Sequence, residues 1–136
     1  NEFILPKTNI TGEWKVNLLI EETSYNKYKG LGIEYKFHIL QKGYEIIGTG
    51  EKIKDIYPDN KEYSFQRIKR VRINTTGFMD RKYLDKTKLY FNILEDGRIR
   101  PTSATFTLIL IDENNMSGTF VSTSADSKGT VKFTRG

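Results

Sequence analysis

The side chains of this chain that could do chemistry are cations and tyrosines. The densest run is Arg67-Ile68-Lys69-Arg70-Val71-Arg72. In a strand, alternation sets Arg67 and Lys69 on the face of Val71 and Ile73, with Arg70 and Arg72 on the other. Arg67 and Lys69 then reach the mouth of the structure that the strand helps to build, where a guanidinium suits paired hydrogen bonds to phosphate. The competing reading is a solvated stripe, because isolated buried charges are costly. Tyr25, Tyr28, Tyr57 and Tyr63 share turn-rich segments with Lys27, Lys29, Arg98 and Arg100. Rings beside cations fit a ligand with bases to stack and phosphates to neutralise.

Catalysis has little to draw on. The chain has no cysteine, which excludes thiol nucleophiles, disulfides and thiolate metal sites. His38 is the only histidine, and alternation places it with Glu34 and Lys36 on a polar face. A general base needs a partner and a cleft, so a solvated histidine is the simpler reading. HExxH spacing, a Gly-x-Ser-x-Gly elbow and a phosphate-binding P-loop are all absent. Asp55, Asp59, Glu62 and Asp112-Glu113 sit in turns, where carboxylates cap and solvate. The expectation is a binding domain with no catalytic residue, metal or cofactor.

The elements that position these residues are strands. Val, Ile, Thr and the eight Tyr and eight Phe favour a pleated sheet, and the only alanines are Ala104 and Ala125. Period-two alternation aligns Trp14, Val16, Leu18 and Ile20; then Ile33, Tyr35, Phe37 and Ile39; then Leu89, Phe91 and Ile93; then Ala104, Phe106, Leu108 and Leu110. Strands are predicted at 13–22, 32–41, 44–54, 65–76, 86–95, 102–112, 116–123 and 130–135. Turns are predicted at Lys42-Gly43, Pro58-Asp59-Asn60, Asp96-Gly97 and Glu113-Asn114-Asn115. Gly48 and Gly50 inside a strand mark a bulge or sharp bend. At 136 residues the chain reads as one all-β domain over 1–136.

An even-numbered meander removes both sheet edges by closing, which predicts a closed eight-stranded antiparallel up-and-down barrel. Closure sets the first strand beside the last. Trp14 then lies near Arg135, which shares its parity with Val131 and Phe133, and the guanidinium packs over the indole. Gly12, Trp14 and Arg135 resemble the closure signature of calycin barrels, the group of lipocalins, fatty-acid-binding proteins and avidins. In that group a Gly-x-Trp opens the first strand and a basic residue of the last strand covers the indole. Avidin's several ligand-stacking tryptophans are missing, as is a fatty-acid carboxylate triad.

With Trp14 and Arg135 plugging one end, the loops 23–31, 55–64, 95–101 and 124–129 surround the other. The candidate ligand-binding set is therefore Tyr25, Tyr28, Tyr57, Tyr63, Arg67, Lys69, Arg98 and Arg100. Leu19, Leu40, Ile47, Ile109, Ile111 and Val121 are expected to point outward. Ile109, Ile111 and Val121 are expected to be adjacent, and Ile47, Ile109, Ile111 and Val121 to form an oligomer surface, unless Phe3-Ile4-Leu5 folds back over them.

In length, in its charge of +5 and in its cysteine-free strands, the chain also resembles the soluble barrel of bacterial antiphage effectors of cyclic-oligonucleotide (CBASS) signalling. That resemblance implies a small anionic ligand, a cyclic oligonucleotide, sensed by a cytoplasmic domain. It implies homo-oligomerisation that disrupts the inner membrane through an N-terminal anchor upstream of Asn1, with no polymeric nucleic acid as partner. The alternatives are a lipocalin-like carrier of a small apolar ligand and a filled, structural adaptor barrel.

Overall fold

The structure is a computed structural model that describes residues 9–64, 72–81, 87–95 and 102–136. It is all-β. The strands are β1 (Gly12–Glu22), β2 (Gly32–Lys42), β3 (Glu45–Ile56), β4 (Glu62–Ser64), β5 (Arg72–Arg81), β6 (Thr87–Glu95), β7 (Thr102–Asp112), β8 (Asn115–Ser122) and β9 (Lys128–Arg135). Eight of them follow one another around a ring, each antiparallel to its neighbours, and β9 pairs with β1 to close it. The three-residue β4 pairs with the same edge of β3 that β5 uses further along. Among the described residues, no helix is long and apolar enough to cross a membrane.

Alternation explains the core. Trp14, Val16, Leu18 and Ile20 are buried, as are Ile33, Tyr35, Phe37 and Ile39 on β2 and Leu89, Phe91 and Ile93 on β6. Phe133 packs at ring-centroid distances of 5.5 Å from Phe37, 5.5 Å from Phe91, 6.1 Å from Phe106 and 6.3 Å from Trp14. Edge-on contacts of this kind add to the burial of each ring. Together they fill the half of the barrel nearer Trp14.

The closed end follows the predicted geometry. Trp14 stands opposite Arg135 in the β1–β9 ladder, and the guanidinium carbon lies 4.2 Å from the indole centroid. Arg135 Nη1 donates to the Thr11 carbonyl at 3.0 Å, and Nη2 donates to the carbonyls of Asn9 at 3.1 Å and Glu113 at 2.8 Å. The indole Nε1 donates to the Ile10 carbonyl at 2.8 Å, so the buried ring leaves no polar group unmet. Gly12 has φ of +135°, and a Cβ there would sit 3.3 Å from Arg135 Nη1. Glycine suits both the backbone angle and the close approach.

Several expectations are corrected. The fifth strand continues beyond Thr76 to Arg81, because Gly77 is a site of close packing over Phe91 rather than a stop. This extension brings Phe78 against Tyr90 on the outer wall, rings stacked at 4.9 Å. The segment at 55–64, read as loop, contains the end of β3, a turn and β4. The turn is held by Tyr57 N–H donating to the Lys61 carbonyl and Asn60 N–H donating to the Tyr57 carbonyl, both at 2.8 Å. Gly48 and Gly50, read as marking a bulge or sharp bend, keep the β2–β3 register, and the bulge falls at Ile53, where the register shifts between Glu34 and Tyr35.

Leu19, Leu40, Ile47, Ile111 and Val121 are exposed, as alternation requires, whereas Ile109 is half-buried. The adjacency of Ile109, Ile111 and Val121 does not hold. Val121 stands opposite Thr105, while Ile109 stands opposite Ser117, four residues from Val121 on β8. That separation is about 13 Å along the strand. Ile111 lies in another register irregularity, between Leu110 and Asp112, which breaks the alternation the expectation relied on. Phe3-Ile4-Leu5 lies outside the described residues.

Candidate functional site

The half of the barrel away from Trp14 is not filled. It encloses a cavity of about 350 Å³ that opens between the β1–β2, β3–β4 and β8–β9 loops. Leu18, Ile20, Ile33, Ile93, Phe106 and Phe120 line it with apolar surface. Thr102, Ser122, Ser124 and Ser127 also line it, and Tyr35, Lys52, Asp55 and Glu95 add titratable residues to its wall.

The backbone accounts for each of these. Tyr35 and Glu95 keep the inward parity of Phe37 and of Phe91 and Ile93. Lys52 keeps the parity of Gly48 and Gly50, opposite Tyr35. Asp55 has the wrong parity to accompany Lys52 inward, and the extra residue Ile53 corrects it: Lys54 pairs with the outward Glu34, while Asp55 pairs with the inward Ile33. A bulge that re-aims one side chain in this way is a recurrent device at barrel rims and binding sites.

Lys52 Nζ lies 3.3 Å from Asp55 Oδ1. That oxygen is shielded from solvent, yet it accepts no hydrogen bond of good geometry. Burial pushes the Glu95 carboxyl above its ordinary value. Lys52 opposes the rise, Asp55 adds to it, and a hydrogen bond from Thr102 opposes it again. Burial, then the charges of Glu95 and Asp55, hold the Tyr35 hydroxyl well above the usual phenol range, so it stays a neutral donor.

The Glu95 shift has a measurable sign. Its folded form holds a proton more tightly than the unfolded chain, so this carboxyl's contribution to stability falls as pH rises from about 4.5 through the raised value. Glu95→Gln removes the buried charge and that decline. The melting temperature of Glu95→Gln relative to wild type should therefore be higher at pH 7 than at pH 4. An equal offset at the two pH values would contradict the burial of this carboxyl.

Of the expected ligand-binding residues, Tyr28 and Tyr57 line the cavity mouth. Tyr25 backs Tyr28 edge-on, with centroids 4.7 Å apart and planes at 85°. Tyr63, on β4, is 59% exposed and stands outside the cavity wall. Arg67, Lys69, Arg98 and Arg100 lie outside the described residues. Lys27 and Lys29 are exposed on the β1–β2 loop and do not line the cavity. His38 is exposed on the outer face, as expected. Among the described residues no three acidic or histidine side chains come together in a group that could hold a metal.

Hydrogen bonds join two of the loops at the mouth. Ser24 N–H and the Ser24 hydroxyl both donate to the Ala125 carbonyl at 2.8 Å, and the Ser127 hydroxyl donates to Thr23 Oγ1 at 3.1 Å. The β1–β2 loop folds back through a single 3₁₀ turn at Asn26–Tyr28, with Gly30 N–H donating to the Ile20 carbonyl at 2.8 Å. These ties set Tyr28 and Ser127 in fixed positions around the opening.

Lys52, Glu95 and Thr102 were not singled out from the sequence, and Asp55, read as a solvated turn carboxylate, is instead buried on β3 and lines the cavity. A signal was present for two of them, since Lys52 and Glu95 continue inward parities. No local pattern marks the bulge that turns Asp55 inward.

No protein-family model matches this chain, and no curated protein matches it. Solved structures do. A redesigned beta barrel, mFAP1, bound to DFHBI aligns with a TM-score of 0.63 at 11% identity, covering 93% of this chain and 94% of that one. A second redesigned beta barrel aligns with a TM-score of 0.61 at 15% identity, covering 93% and 91%. The structure of EF1p2_mFAP2b bound to DFHBI aligns with a TM-score of 0.60 at 13% identity, covering 93% and 94%. At these identities the likeness is one of fold: a closed, calycin-like barrel.

Proposed function

We propose that this domain is a non-enzymatic barrel that holds a small molecule in its open end. The observation that carries the reading is the cavity of about 350 Å³, closed below by packed rings and rimmed by Tyr28 and Tyr57. Apolar walls with a few converging polar groups are the usual make-up of a ligand pocket, and this volume is at the small end of the range. Two barrels of the same fold are solved bound to DFHBI, which supports the same use of the interior. Binding rather than turnover suits a chain whose single histidine stands on the outer wall, away from this cavity.

A thermal-shift series tests the reading, because a ligand that prefers the folded state raises its melting temperature. One- and two-ring compounds should stabilise the protein. Ala104→Phe, which adds a ring at the cavity wall, should abolish the shift while leaving a folded circular-dichroism spectrum. Stabilisation unchanged in Ala104→Phe would move binding out of the barrel.

The tyrosines favour a second reading, a cyclic oligonucleotide sensed across the rim. Tyr25, Tyr28 and Tyr57 offer ring faces for bases. A cyclic dinucleotide is too large for the cavity and would lie over its mouth. This reading needs the cations of Arg67, Lys69, Arg98 and Arg100. Arg67→Ala or Arg98→Ala would then weaken the nucleotide by about 1.5–3 kcal/mol. The membrane-effector role and self-association through outer residues such as Ile47 and Val121 rest on this second reading. Light scattering with and without nucleotide tests the association.

A further inference from the structure

The chain carries a net charge of +5, but the described part of its cavity wall has the opposite balance. Asp55 and Glu95 supply two carboxylates there, and Lys52 is the one cation among the described lining residues. The ion pair of Lys52 Nζ with Asp55 Oδ1 at 3.3 Å offsets one of the two negative charges, and Lys52 also acts on Glu95. The surrounding walls of Ile33, Ile93, Phe106 and Phe120 are apolar, so charges inside act through a poorer dielectric than water. The group that answers two carboxylates set against one ammonium among the described lining residues is a cation with N–H groups.

We infer that the cavity takes a small ligand bearing a protonated amine, whose ammonium is held by Asp55 and Glu95 and whose ring or short apolar body lies against Ile33, Ile93, Phe106 and Phe120. This rests on the small-molecule reading above and narrows its ligand to a cationic class. Tyr28 and Tyr57 at the mouth complete the site, since tyrosine faces also attract an approaching cation. A carboxylate or phosphate of the same size would meet two like charges against the single cation Lys52 among the described lining residues.

Three probes of one shape separate the charge from the shape: tryptamine, tryptophol and indole-3-propionate. Each is titrated into the intact protein at pH 7.5 and followed by amide NMR shifts. Tryptamine should bind about tenfold or more tightly than tryptophol, as a charge-assisted hydrogen bond requires, and indole-3-propionate should bind most weakly. Glu95→Gln should shrink the amine-to-alcohol ratio several-fold while tryptophol affinity stays the same, and Asp55→Asn should do likewise. Equal binding of amine and alcohol to the wild type, or tighter binding of the acid, would overturn this inference and leave the small-molecule reading standing. No perturbation by any of the three would overturn both.

Discussion

Trp14→Ala lowers the unfolding free energy by about 3–5 kcal/mol, the range for removing a large ring from a packed core. The indole is completely buried and faces Phe37 on one neighbouring strand and Arg135 on the other. Its loss removes the edge contact with Phe133, the hydrogen bond to the Ile10 carbonyl and the surface on which the guanidinium rests. Arg135→Ala costs less, about 2–3 kcal/mol, through charged hydrogen bonds to backbone carbonyls on both flanks of the closed end. The two effects are not additive. The double variant should recover about 1 kcal/mol of coupling, because each single variant already forfeits the cation–ring contact. Urea unfolding followed by far-ultraviolet circular dichroism measures this, since the only tryptophan is the residue removed. A Trp14→Ala cost no larger than that of a surface substitution would contradict the closure described.

Gly118→Ala destabilises by about 3 kcal/mol, the upper end of the cost of forcing extra atoms into packed structure. Gly118 on β8 stands between Leu108 on β7 and Val131 on β9. A Cβ there would overlap the Thr107 carbonyl oxygen and lie 2.9 Å from Leu108 Cα. Both obstacles are backbone, so no rotamer change relieves them, and the β7–β8 ladder must part instead. Tightly coiled strands that close a small barrel place glycine at such points. Thr119→Ala, one residue away on the exposed wall, should change stability by no more than about 0.5 kcal/mol. Similar costs for the two variants would refute the close approach at Gly118.

Much of this architecture is written in local pattern. Trp14, Val16, Leu18 and Ile20 announce β1 because each second side chain must enter the core. Arg135 can be placed on Trp14 because an even meander has only one way to bring its ends together. The cavity was less legible. Glu95 ends a run of inward apolar residues, and its parity alone does not say whether the strand still curves around a cavity at that point. Asp55 depends on the extra residue at Ile53, and bulges follow from the coiling of the whole barrel rather than from nearby sequence. The outer-wall pair of exposed Phe78 and half-buried Tyr90 was missed for a related reason. The predicted strand ended at Thr76, whereas Gly77 lies in mid-strand, where a Cβ would meet the Tyr90 carbonyl and the Phe91 ring.

In the proposed function the open half of the barrel, and not its outer wall, holds the ligand. Indole is neutral and small enough for a cavity of about 350 Å³, so it tests this claim without assuming a charge. A titration followed by amide and methyl NMR should shift Leu31, Ile93, Ala104 and Ser127 together, saturably, and leave Thr11, Arg135 and the outer Phe78 unmoved. Shifts confined to Phe78, Tyr90 and Ile47, or spread over the closed end, would contradict it.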